Sequence, residues 1–147
     1  MNAAMIRDLT LLTRSIVANL IDYDENAAPT TVASIRRRYA DRSQHAPTFI
    51  HLDTFEAAAR DAQLAGIEWT RKTREANDMD RAYEESPSTE TGAALAPADE
   101  ARRHAELAWM KANECYLAER NSLIAELYAY AAQTFAKSSL SASVFAD

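Results

Sequence analysis

The sequence predicts an all-α protein: two long helices forming an antiparallel hairpin, with two shorter N-terminal helices packed on it. Three observations carry this. Only two glycines and four prolines occur in 147 residues, so tight turns are few and the length must go into long elements. Alanine, which loses no side-chain entropy in a helix, is abundant. Apolar residues recur at spacings of three, four and seven, the period of a helix face.

The first periodic segment is Met5, Leu9, Leu12, Ile16 and Leu20, with Asn2 as its expected cap. Asp22 to Asn26 and Pro29 mark a loop. A second helix is expected after Thr30 or Thr31, with Val32, Ile35 and Tyr39 inward and Arg36, Arg37 and Arg38 outward. Residues 41–52 read as an irregular link held by Pro47, whose Phe49, Ile50 and Leu52 must still pack on something.

Asp53, followed by Glu56 three residues later, reads as a capping box opening the third helix. Phe55, Ala62, Trp69, Ala76 and Tyr83 then recur every seven residues. Such alternation of large and small residues suits close packing against another helix. The helix is expected to continue to about Glu85, and Gly66 weakens its middle by about 1 kcal/mol. Ser86 to Gly92 is the clearest turn signal, and Pro97 fits the first position of a fourth helix that meets no breaker before Ser138-Ser139. Its apolar rows are Trp109, Tyr116, Leu123, Tyr130 and Met110, Leu117, Ile124, Ala131, beside a row of Ala101, Ala105, Ala108, Ala112 and Cys115. The expected organisation is one helical domain over 1–147. Residues 1–52 hold the short helices and link, 53–138 the hairpin, and 139–147 a tail.

Hydrophobic residues make up 48% and charged residues 26%, as in ordinary globular domains. The net charge of −6 is uneven. Residues 1–74 hold ten basic and nine acidic residues, a balance of +1, and residues 75–147 hold six and thirteen, a balance of −7. Cys115 is the only cysteine, Arg7 and Asp8 interrupt any signal-like apolar start, and Leu9 to Ile21 is too short and polar to span a bilayer. A cytoplasmic location is expected, or a virion if the chain is phage-encoded, with no membrane partner.

Catalytic and cofactor signatures are sparse. Two isolated glycines supply no phosphate-cradling loop, dinucleotide fingerprint or nucleophile elbow. Asp22-x-Asp24-x-Asn26 begins like a calcium loop, but Ala27 and Ala33 stand where such a loop needs Gly and Glu. Glu100 and His104 lie one helical turn apart without a second motif to complete a metal site. No cofactor, no metal and no catalytic residue are expected.

Two resemblances bear on function. Arg38 and His45 have the spacing of the Arg–His pair of HEPN-type ribonucleases, small helical bundles that cleave RNA across a dimer. Residues 9–68 resemble a helix-turn-helix or winged-helix module: Leu9–Ile21, then Thr31–Ala40, then Asp53–Ala65 closing on Gly66-Ile67. That resemblance implies DNA binding, with Arg36, Arg37, Arg38, Arg42, Arg71, Lys72 and Arg74 as contacts. It departs from the family in its long link, its acidic recognition helix and a wing region, Thr70 to Tyr83, rich in helix formers.

The leading expectation is different. Long helices with more apolar rows than two short partners can cover point to a non-catalytic interaction or assembly protein. It would form a homo-oligomer or hold a protein partner, as structural components, chaperones and inhibitors do. Phe55, Trp69, Tyr83, Trp109, Tyr116 and Tyr130 are the expected seam. DNA binding by the front half is the alternative.

Overall fold

Every regular element in the computed structural model, which describes residues 3–22, 24–40 and 49–144, is helical. These are α1 (Ala3–Asp22), one 3-10 turn (Glu25–Ala27), α2 (Ala28–Ala40), α3 (Ile50–Glu85) and α4 (Thr89–Val144). The fold is all-α, with the long helices α3 and α4 joined as a hairpin. The chain divides into two compact units: Met1–Ala57 with Leu117–Asp147, and Ala58–Tyr116.

In the first unit α1 buries Leu9, Leu12, Ile16 and Leu20, and also Val17 and Thr13. Thr13 is the one buried polar side chain among the described residues. Its hydroxyl shares a 2.8 Å hydrogen bond with the Tyr39 hydroxyl of α2, so neither buried group is left unsatisfied. Tyr39 packs edge-on against Phe49 and Tyr130, with ring centroids 5.0 and 5.7 Å away. Burial raises the Tyr39 hydroxyl pKa, the Thr13 hydrogen bond opposes that shift, and neighbouring Tyr130 adds to it.

Three helix starts differ from the sequence reading, two for a local reason and one through a distant partner. The segment after α1 is not an open acidic loop: Asp24 Oδ1 accepts the Asn26 backbone N–H at 3.0 Å and caps the 3-10 turn. That turn leads directly into α2 at Ala28, and Pro29 sits in its first turn, where a missing N–H loses no helical bond. Asn2, the expected cap of α1, lies outside the described residues, as do residues 41–48 of the link.

The third helix begins at Ile50, three residues before the expected Asp53. Its cap comes from α4: the Ile50 and His51 backbone N–H groups donate to the two carboxylate oxygens of Glu126, the latter at 2.9 Å. A carboxylate there also complements the positive end of the helix dipole. Glu119, two turns earlier on α4, accepts from Thr54 Oγ1 at 2.7 Å and lies 3.3 Å from His51 Nδ1. The Thr54 hydrogen bond, aided by His51, holds the Glu119 carboxyl below its ordinary range. Phe49 and Leu52 are buried as expected, whereas Ile50 is exposed at the capped end.

The fourth helix begins at Thr89, inside the segment read as a turn, and runs on through Ser138-Ser139 to Val144. Ser88 is its cap. Ser88 Oγ accepts the Thr91 N–H at 3.0 Å while Thr91 Oγ1 accepts the Ser88 N–H at 2.9 Å. This is a capping box with Thr in place of the usual Glu or Gln. Pro97 therefore lies within the helix. The carbonyl it leaves without a helical donor belongs to Ala93, and both residues are exposed, so water can satisfy it.

Candidate interaction surface

In the second unit most of the buried residues are small. Its buried side chains are Ala59, Ala62, Ala76, Ala105 and Tyr116. Gly66 approaches α4 closely enough that an added Cβ would stand 3.4 Å from Trp109 Cδ1. Trp69 and Trp109 meet at 4.9 Å between ring centroids with planes tilted by 31°. The Trp69 Nε1 is buried and has no hydrogen-bond acceptor, and the ring borders a shallow groove with Thr70, Thr73, Arg74 and Asn77. Near the hairpin turn Tyr83 lies over Gly92 and is 40% exposed.

The expected aromatic seam is thus graded. Phe55 and Tyr116 are buried, Trp69, Trp109 and Tyr130 are half-buried, and Tyr83 is exposed. Tyr130 belongs to the aromatic cluster of the first unit, 5.6 Å from Phe49. The small row on α4 splits. Ala105 is buried, Ala101 and Ala112 are half-buried, and Ala108 and Cys115 are exposed.

Large apolar side chains lie on the outer faces instead. Leu64 and Ile67 of α3 are 60% and 59% exposed, and Leu107 and Met110 of α4 are 62% and 48% exposed. The sequence reading placed Met110 in a second apolar row and Leu64 and Ile67 in the recognition helix and exit of the helix-turn-helix resemblance, and it gave Leu107 no role. Leu64 and Ile67 stand three residues apart, as do Leu107 and Met110, and that spacing was the signal available.

Several of the basic residues are held by carboxylates. Arg36 pairs with Asp53 and Glu56 of α3, not with Asp22 or Asp24. Arg71 bridges Glu68 and Glu75, and Lys72 also reaches Glu75 at 3.1 Å. The Arg71 hydrogen bond lowers the Glu68 pKa, and Glu68 in turn raises that of Arg71. Arg37, Arg38 and Arg74 are exposed and pair with no carboxylate among the described residues. Arg42 and His45 lie outside the described residues, so the Arg38–His45 spacing has no described geometry. The would-be wing, Thr70 to Tyr83, is continuous helix within α3.

Among the described residues, no three His, Cys, Asp or Glu side chains converge as a metal site would require, and no helix is long and apolar enough to cross a membrane. Comparison with protein-family models, with curated proteins and with solved structures finds no match to this chain.

Proposed function

We propose that this chain is a non-catalytic interaction or assembly protein that acts through self-association or a docked protein partner. One observation supports the reading above the rest: the hairpin unit keeps Leu64, Ile67, Leu107 and Met110 on its surface while burying mostly alanine. Apolar surface of that kind is stabilised by removal from water, at about 25 cal/mol per Å². A pair of helices with an alanine seam gains little of this internally. Contact with another chain is the remaining source.

Sedimentation velocity from low to high micromolar concentration, with a hydrophobic dye titration alongside, tests the reading. The expected outcome is a particle heavier than the 16.3 kDa chain, or a monomer that binds dye through uncovered apolar surface. A strict monomer that binds no dye defeats it.

DNA binding is the second reading, favoured by the guanidinium groups of Arg37, Arg38 and Arg74, which pair with no carboxylate among the described residues. The start of α3 opposes it, because Asp53, Glu56 and Asp61 would meet phosphates there. Including a duplex in the same sedimentation runs separates the two.

A further inference from the structure

The outer faces of the hairpin unit are complementary to each other in both charge and register. On α3, Arg60, Leu64, Ile67, Arg71 and Arg74 follow one another at spacings of four, three, four and three, so they form a single stripe. On α4, Glu100, Arg103, Leu107, Met110 and Glu114 follow at three, four, three and four. With about 100° per residue, each stripe lies roughly 150–160° from the contact face of its own helix. That contact face is marked by Gly66 and Trp69 on α3, and by Ala105 and Trp109 on α4. The stripes therefore point away from each other on opposite edges of the unit, and of their charged residues only Arg71 and Arg103 form an intrachain ion pair among the described residues.

We infer that the α3 stripe of one copy docks on the α4 stripe of a second copy. Run antiparallel, the stripes match position by position. Arg60 faces Glu114, Leu64 faces Met110, Ile67 faces Leu107 and Arg74 faces Glu100. The remaining position sets Arg71 against Arg103. Each of these is already neutralised within its own helix, Arg71 by Glu68 and Glu75 and Arg103 by Asp99. The apolar pairs lie inside the contact and opposite charges close its two ends, the arrangement of a coiled-coil seam with charged edges.

The alternatives are poorer. Pairing the α3 stripe with its own copy antiparallel brings Arg60 to Arg74, and pairing α4 with α4 brings Glu100 to Glu114. Like charges across a contact oppose both symmetric arrangements. The interface is therefore heterologous. Each copy offers one α3 face and one α4 face on opposite edges, so association continues beyond two chains into a ring or an open array.

This inference rests on the self-association arm of the proposed function, and charge reversal distinguishes the two. One variant carries Arg60→Glu with Arg74→Glu, and the other carries Glu100→Arg with Glu114→Arg. Sedimentation velocity follows each alone and an equimolar mixture. Each variant alone is expected to self-associate about tenfold or more weakly, because like charges then flank every contact. The mixture restores association, since the acidic α3 face of the first meets the basic α4 face of the second, and the reverse junction is equally complementary. Restoration also requires both variants to be folded.

Net charge cannot mimic this pattern. The second variant moves the chain from −6 toward neutrality, so generic repulsion expects tighter association where the interface expects weaker. Association that neither variant changes overturns the interface and leaves the broader reading intact. Variants that weaken without restoration in the mixture overturn it as well. A monomeric parent chain also overturns it, and the dye titration then decides the broader reading separately.

Discussion

The two units bury their seams very differently, although both are built from helices with the same seven-residue recurrence. In Met1–Ala57 with Leu117–Asp147 the fully buried side chains include Val32, Ile35, Tyr39, Phe55, Leu123 and Leu127. In Ala58–Tyr116 the buried side chains are four alanines and Tyr116, and only Ala59 and Ala62 are fully buried. The first unit has short helices to close over its long ones, and its large side chains turn inward. The second has two helices alone, so large side chains on any face but one remain in water. A heptad row identifies a face and says nothing about how many neighbours will cover it.

Truncation in the two units is the most forceful way to break that comparison. Leu123→Ala or Ile35→Ala removes a side chain with no exposed surface and is expected to destabilise by about 2–5 kcal/mol. Leu107→Ala, on the outer edge of the hairpin, is expected to cost under about 0.5 kcal/mol in the dissociated chain. Urea denaturation at low concentration, with helical ellipticity as the signal, measures both. Comparable losses at the two sites would show that the hairpin unit has a core of its own.

The next effect concerns the cap that fastens α3. Glu126→Ala leaves the Ile50 and His51 N–H groups without their carboxylate and is expected to destabilise by about 1–2 kcal/mol. Glu119 gives the same region a pH dependence. Its folded pKa is depressed, first by the Thr54 hydrogen bond and then by His51. A depressed carboxylate contributes stability that is present above its unfolded pKa, about 4.3, and lost as pH falls through the folded value. Stability should therefore decline on acidification below about pH 5, and Glu119→Gln should make that decline shallower. An unchanged acid limb in the variant would remove Glu119 from the account.

Gly66→Ala sharpens the comparison from the other side. A Cβ there would meet Trp109 at 3.4 Å, ordinary van der Waals contact. The expected result is stabilisation of about 0.5–1 kcal/mol from helix propensity. The tight approach of α3 and α4 thus tolerates alanine, in keeping with a seam already lined by it. Destabilisation would mean that the Trp69–Trp109 pair fixes the spacing more rigidly than its half-burial suggests.

Much of this fold was legible because helix periodicity is a local property. The burial of Leu9, Leu12, Ile16 and Leu20, and the unbroken run of α3 to Glu85, follow from spacing and the absence of breakers. What escaped was set by distant partners or by a competing local signal. The cap of α3 is Glu126, 76 residues from Ile50, and no local pattern announces it. Ser88 and Thr91 form a box that outweighs Pro97 as a start signal. The outer stripes were hidden for another reason: Leu64 and Ile67 read as part of a recognition helix and its exit, until the hairpin shows that they share an edge with Arg60, Arg71 and Arg74.

The smallest expected effect belongs to Arg36. It ties α2 to Asp53 and Glu56, but the Arg36 and Asp53 side chains are 51% and 85% exposed. Water and salt screen such a pair, and ordering two flexible side chains offsets most of the remaining attraction. Arg36→Ala is therefore expected to change stability by no more than about 0.5 kcal/mol, a change that melting curves at low and high salt can resolve. A larger loss would place the Arg36 stem, rather than its charge, among the supports of the first unit. Extending the change to Arg37 and Arg38 asks a different question, since neither pairs with a described carboxylate. If the chain acts only through its helical faces, the triple variant leaves any weak duplex affinity and its salt dependence as they were. If these guanidinium groups hold phosphates, each lost contact flattens the log–log salt slope by about 0.9. That flattening would shift the functional reading from the hairpin edges to the basic face of α2.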